Sequence, residues 1–248
     1  MSGRGEESVS ARTVVVVQAH QDDADFYCGG SVARWASMGD RVIYVTVTDG
    51  SKGTLDPATD PETLATTREQ EQREAAAVLG VSECLFLGYP DGDLFPDLAV
   101  REKLVRIIRR YRPALLVTHD PTWKSYLLHN DHRVTGEMAL GAAMAAGFPL
   151  YHREHLGEGL GAHTVQEVLL FQSPEPDFSQ DITGYLGLKI KALLCHQSQA
   201  YLLSQAENAL GVSLAQALDL FQAGASLPLG AVREKFKRLT VAEGGTIT

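Results

Sequence analysis

Five short runs of β-branched and apolar residues recur along this chain, and most of the segments between them carry helical spacing. Thr13 to Gln18 reads as a strand buried on both faces, and Tyr27 to Met38 as a helix with Val32, Trp35, Ala36 and Met38 on its apolar side. Arg41 to Thr48 is a second strand. Pro61 to Leu79 is a charged helix, with Asp60 as N-cap, Pro61 in its first turn and Gly80 closing it. Glu83 to Leu87 and Ala114 to Thr118 read as further strands, separated by a helix over Asp97 to Tyr111. A helix over Asp131 to Ala146 follows, then a loop rich in Gly and His, then a fifth strand at Glu167 to Phe171.

Strands that alternate with helices predict right-handed crossovers. The expected fold is α/β: a three-layer, Rossmann-like, mainly parallel sheet flanked by helices. From Tyr185 onward the pattern is helical, with one or two more helices over Tyr201 to Phe221, so a C-terminal helical extension is expected. No Pro/Ser-rich linker divides the 248 residues, which predicts a single domain with loose tails at 1–12 and 242–248.

A formal charge of −9 argues against phosphate-backbone binding, so no nucleic-acid partner is expected. No apolar run approaches the roughly 18 residues of a membrane span, and the first twelve residues lack the apolar stretch of a secretory leader. Cys28, Cys84 and Cys195 are far apart and odd in number, which reads as reduced thiols in a cytoplasmic protein without a membrane partner. The C-terminal helices could pack on the domain or on a second copy, which leaves a homo-oligomer open.

In an open parallel sheet, ligands gather beyond the carboxyl ends of the strands. Four strand ends here deliver carboxylates or imidazoles to that rim: Ala19-His20-Gln21-Asp22-Asp23, Thr48-Asp49-Gly50, Gly88-Tyr89-Pro90-Asp91-Gly92 and His119-Asp120-Pro121. His20 and Asp23, three apart in a turn, can face one cation while Asp22 points elsewhere and stays free to accept a proton. His129-Asn130-Asp131-His132 can add a further ligand and a separate acid, with Asp131 able to orient an imidazole. Taken alone, either segment is equally a polar loop with helix N-caps. Together, two imidazoles and a carboxylate with an open position suit catalytic Zn²⁺, and Fe²⁺ accepts the same set. Among weaker candidates, Arg68 lies in a run of alternating charges that reads as a solvated helix face. Asp49 and Asp91 precede glycines and are equally turn formers. His119 suits an outer role, His196 helix-end packing or pocket closure, and His152, His155 and His163 a loop or lid.

The motifs AHQDD (19–23), Gly29-Gly30, TDG (48–50), TREQE (67–71), YPDGDL (89–94), HNDH (129–132) and KIKALLCHQSQ (189–199) occur in an order that resembles the PIG-L/LmbE-like zinc-dependent N-deacetylases. The likeness covers roughly the first 200 residues. It implies His20, Asp23 and His132 as metal ligands and Asp22 as general base. It implies His129 as the group that stabilises the oxyanion or protonates the leaving amine, steadied by Asp131. Arg68 and Asp91 match positions that contact the sugar or hold the site together. Gln21 and Asn130 replace two prolines usual in the family, and neither is a ligand position.

The implied substrate is a small molecule carrying N-acetylglucosamine, with an amino-sugar thiol conjugate as the alternative amide. Two rivals of other kinds stay open at this point. One is a two-metal phosphoesterase, and the other is a ligand-binding module without turnover.

Overall fold

The computed structural model describes residues 11–123, 129–210, 213–222 and 231–241. The loose tail expected at 242–248, most of the one at 1–12 and the loop at 124–128 lie outside them. One seven-stranded sheet holds the chain together. Its strands are β1 (Thr13–Gln18), β2 (Arg41–Thr48), β3 (Glu83–Tyr89), β4 (Leu115–His119), β5 (Glu167–Phe171), β6 (Phe178–Asp181) and β7 (Arg233–Thr240), in the order β3-β2-β1-β4-β5-β7-β6. β1 to β5 are parallel, and β7 runs antiparallel to both β5 and β6. The helices are α1 (Asp23–Ser37), α2 (Pro61–Leu79), α3 (Leu98–Tyr111), α4 (Asn130–Ala146), α5 (Glu154–Gly157), α6 (Leu186–Leu193), α7 (Ala200–Leu210) and α8 (Leu214–Gln222).

The two-residue period of β1 builds both interfaces of the sandwich. Val15 and Val17 pack with Leu104 and Ile108 of α3 and Val134 and Ala142 of α4. Val14 and Val16 face the other way, onto Val32 and Trp35 of α1, Ala75 and Leu79 of α2 and Ala192 of α6. All four valines are essentially inaccessible, and such a side chain contributes roughly 1.5–3 kcal/mol by leaving water. α2 is capped as its sequence requires: the Asp60 carboxylate accepts from Thr63 N at 2.8 Å, and Gly80 closes the helix at φ 79.

β1 leads to β2 on one side and pairs with β4 on the other, so the strand order reverses between β1 and β4. That crevice is where an open α/β sheet collects its ligand. The segments leaving its two walls are residues 19–23 and 119–132. α4 approaches β4 closely because Gly136 has no side chain: a Cβ there would stand 2.5 Å from the carbonyl oxygen of His119. Gly136→Ala is expected to destabilise the fold by about 1–3 kcal/mol, since backbone cannot give way as a side chain can. A lowered urea midpoint checks it.

Two features differ from the expected plan. α1 begins at Asp23, not Tyr27, and is kinked at Cys28, whose φ of −139° is not helical. The apolar periodicity is masked in the first turn, which carries the buried carboxylates Asp23 and Asp25. The C-terminal part is also more than a helical extension, since the chain returns as β7 between β5 and β6. β7 is REKFKRLT, mostly charged, with only Glu234 and Phe236 buried. Glu234 accepts from Gly30 N (3.0 Å) and Ser31 N (2.7 Å), the amides that the kink leaves over, and from Lys189 Nζ at 2.5 Å. A late strand thereby anchors the helix that begins at the crevice. Among the described residues no helix is long and apolar enough to cross a membrane.

Candidate metal centre and active site

The loop after β1 and the start of α4 meet in the crevice. His20 Nδ1 lies 3.1 Å from His132 Nε2, His132 Nε2 lies 3.2 Å from Asp23 Oδ1, and His20 Nδ1 lies 3.6 Å from Asp23 Oδ2. Ligands about 2.0 Å from a tetrahedral ion stand roughly 3.3 Å from one another, so this trio has the spacing of one coordination shell. The donors also fit a divalent ion chemically: two imidazole nitrogens and a carboxylate, with room left in the shell for further ligands. Burial alone would raise the Asp23 carboxyl, but the His132 and His119 imidazoles hold it well below the usual carboxylate range. It also accepts from His20 N at 2.8 Å.

The far nitrogen of His20 explains two of the remaining candidates. Nε2 lies 3.0 Å from Asp91 Oδ1 and 3.3 Å from Asp131 Oδ2. A proton held there would leave the Nδ1 lone pair free for a divalent ion, the usual arrangement of a metal-ligating histidine and its carboxylate. The family resemblance implies that Asp131 steadies His129, and the structure corrects this. The Asp131 carboxylate instead bonds His20 and the amides of Gly92 (2.6 Å) and Leu94 (3.2 Å), tying the loop after β3 to α4. Asp91 accepts from Lys52 N at 2.9 Å. Burial opposes its ionisation, yet the His20 imidazole brings its pKa down to about 2. These outer bonds occupy the carboxylates of the second donor group, His20, Asp91 and Asp131, which reads as support for His20.

Asp22 turns away from the trio. Its backbone has φ 94, a left-handed conformation that costs a residue with a side chain about 1–3 kcal/mol. Its Oδ2 lies 3.1 Å from Arg68 Nη2. Burial pushes the Asp22 carboxyl above its usual range against the pull of Arg68, and the Asp23 charge adds to the rise. A buried carboxylate so raised is a better proton acceptor near neutral pH. Arg68 is only 3% exposed, contrary to the reading of α2 as a solvated charged face. It donates to Gly50 O and Gln21 O, both at 2.9 Å, and so clamps the loops after β1 and β2.

His129 caps α4 on the exposed side, with its ring stacked 5.1 Å from that of His132. Burial and the neighbouring His132 and His20 lower its pKa below the usual imidazole range. His119 is fully buried, 3.3 Å from Asp23 Oδ2, with a pKa brought down to about 4 by burial and by His132. Asp49 Oδ1 accepts from Ser51 N and Asp91 N, the turn role its Gly neighbour suggested. His155 is buried on Glu102 at 2.7 Å and His163 meets Pro113 O at 2.8 Å, so both are packed groups and form no lid. His196 packs just beyond the end of α6, its backbone N–H bonding Leu193 O at 3.1 Å. It is buried 2.8 Å from Asp25 Oδ2, in a network with Gln18, Tyr44 and Gln72 that sequence reading missed. One signal was available: Gln18 is a polar residue ending an otherwise apolar buried strand.

Residues 15–143 match the GlcNAc-PI de-N-acetylase (PIG-L) family. The chain belongs to this family. It is 33% identical to the diacetylchitobiose deacetylase of Thermococcus kodakarensis, over 76% of this chain and 70% of that protein. It is 28% identical to the 1D-myo-inositol 2-acetamido-2-deoxy-alpha-D-glucopyranoside deacetylase of Saccharomonospora viridis, over 75% of this chain and 84% of that one. Among solved structures it resembles the N,N'-diacetylchitobiose deacetylase from Pyrococcus horikoshii in complex with an inhibitor. The TM-score is 0.80 at 30% identity, covering 93% of this chain and 85% of that one. The PIG-L protein described here is an N-deacetylase, a hydrolase of amide bonds.

Proposed function

We propose that this PIG-L deacetylase removes the acetyl group from a small molecule containing N-acetylglucosamine, using zinc held by His20 Nδ1, Asp23 and His132 Nε2. The observation that carries this reading is the pairing of a three-donor cluster with an adjacent buried carboxylate, Asp22, that is held by Arg68 and is not one of the donors. Relatives named as deacetylases of chitobiose and inositol-linked amino sugars support the substrate class. When bound, the ion polarises the amide carbonyl and acidifies a water; Fe²⁺ would do the same in this donor set.

The chain's own groups do the rest. Asp22 takes a proton from the attacking water, with Arg68 fixing the carboxylate's direction. His129 donates a hydrogen bond to the oxyanion as it develops, and one well-placed donor of that kind contributes roughly 3–4 kcal/mol. The C–N bond then breaks, and the proton carried by Asp22 goes to the leaving nitrogen. Acetate and a free amine result. Asp91 and Asp131 keep the His20 ring in one orientation throughout.

The test is release of primary amine from a panel of N-acetylated glucosaminides (monosaccharide, disaccharide and inositol-linked). Turnover of at least one is expected, abolished by a chelator and restored by zinc. Amine release that ignores the chelator, or none from any member, would overturn the reading.

A further inference from the structure

The strained backbone of Asp22 is held by two buried glutamines on different elements. Gln72, from the middle of α2, accepts the Asp22 N–H on Oε1 at 2.9 Å. Gln18, the last residue of β1, accepts the Ala24 N–H on Oε1 at 2.7 Å. The two amides also bond each other, Gln18 Nε2 donating to Gln72 Oε1 at 2.9 Å, while Gln18 Nε2 donates to Thr46 Oγ1 at 2.8 Å. The N–H groups on either side of Asp23 are thus gripped by one rigid pair.

What keeps Gln72 from turning its amide over is Asp25. Gln72 Nε2 donates to Asp25 Oδ2 at 2.8 Å, and Asp25 accepts also from Tyr44 OH (3.0 Å) and lies 2.8 Å from His196 Nε2. Gln18, Asp25, Gln72, Tyr44 and His196 are all wholly inaccessible. The side-chain hydrogen bonds of this set run among its own members, to Thr46 Oγ1 and to the backbone N–H groups of Asp22 and Ala24. A polar network buried this deeply is costly to assemble unless every bond is made. A hydrophobic filling would serve stability as well, so its cost implies a further use.

We infer that Gln72 is a positioning residue of the deacetylation reaction: with its amide oriented by Asp25 and His196, it holds Asp22 in the left-handed conformation that separates the base from the metal ligand Asp23. This rests on the reading of Asp22 as general base. Without the bond from Asp22 N to Gln72, the backbone at residue 22 relaxes towards negative φ, and its carboxylate swings off the line to the attacking water. A misplacement of about 1 Å in a reacting group can cost roughly a hundredfold in rate. His20, Asp23 and His132 keep their mutual contacts, so metal binding is unaffected.

The experiment compares Gln72→Met, Gln72→Glu, and Gln72→Glu combined with Asp25→Asn in the full-length protein. Gln72→Met is similar in length and removes all three hydrogen bonds of the amide, to Asp22 N, Gln18 and Asp25. Its kcat is expected to fall about 30- to 100-fold with KM within threefold, metal content unchanged, and residue 22 out of the left-handed region in its crystal structure. In Gln72→Glu two carboxylates face each other and the rate falls at least as far. The double variant reverses donor and acceptor. The amide introduced at position 25 donates to the carboxylate introduced at position 72, which still accepts from Asp22 N. His196 changes tautomer, its Nδ1 being without a partner among the described residues. The kcat of the double variant is expected to return to within about tenfold of the parent. A Gln72→Met protein with parental kcat, a rate loss that follows metal loss, or a residue 22 still near φ 94 would overturn the inference. If Gln72→Met does not fold, a double variant no faster than Gln72→Glu alone overturns it too. Asp22→Asn separates the two readings. If it is inert while Gln72→Met is fully active, only the positioning role falls; if Asp22→Asn is itself active, the base assignment falls.

Discussion

Asp22→Asn is expected to keep its metal and lose at least a hundredfold in kcat. The substitution is isosteric, so the left-handed turn at residue 22 and its bonds to Gln72 Oε1 and Phe26 N are retained. Arg68 keeps its two carbonyl acceptors, Gly50 and Gln21, and stays where it is. None of the three metal donors is altered. What disappears is the proton acceptor, and positioned acid–base groups of this kind contribute typically about 10²- to 10⁴-fold. In the proposed mechanism the same group returns the proton to the leaving amine, which places the expected effect towards the larger end. Amine release under saturating substrate, with metal content measured on the same sample, checks the result. An Asp22→Asn protein with one metal and kcat within threefold of the parent would show that another group takes the proton.

How far the sequence revealed this depends on the range of the interactions involved. β1, β2 and α2 were legible because their signals are local: a run of valines, an alternation of apolar residues, a proline and an aspartate before a helix with a glycine after it. The rim was legible for a related reason, since strand ends in a parallel sheet converge whatever follows them. The first turn of α1 was not. Its residues are polar and buried, and the partners that make such burial tolerable, Gln72 and His196, lie 47 and 171 positions from Asp25. Glu234 is the extreme case, 204 positions from the Gly30 amide it accepts from. Its strand reads as a solvated charged segment because only two of its residues face inward. Arg68 failed for the opposite reason. Charges at helical spacing usually lie in water, and the partners that make its burial tolerable, the carbonyls of two distant loops and the Asp22 carboxylate, are far away in sequence. Asp131 shows the limit within a motif: the family resemblance implied His129 as its partner, and the fold brought His20.

His132→Ala is expected to lose the ion itself. His132 Nε2 is the donor closest to both other members of the trio, at 3.1 Å and 3.2 Å. Without it, His20 and Asp23 remain as two ligands from one turn, and no other imidazole among the described residues takes the place: His119 is committed to the buried side of Asp23, and His129 stands on the exposed side of the ring that was removed. Loss of a supporting residue around a metal already costs about 10- to 100-fold in affinity, so loss of a ligand costs more than about a hundredfold. Two measurements follow. Dialysed His132→Ala should carry almost no zinc by elemental analysis. It should also lose the rise in Tm that added zinc confers on the parent, an increment of about 2.7 kcal/mol when free metal stands at a hundred times Kd. His129→Ala provides the contrast. That ring is exposed and stacked on His132 without entering the trio, so its variant should keep both the zinc and the Tm rise while turnover falls. If His132→Ala bound zinc as the parent does, the centre would lie elsewhere on the rim and the role of Asp22 beside it would have no basis.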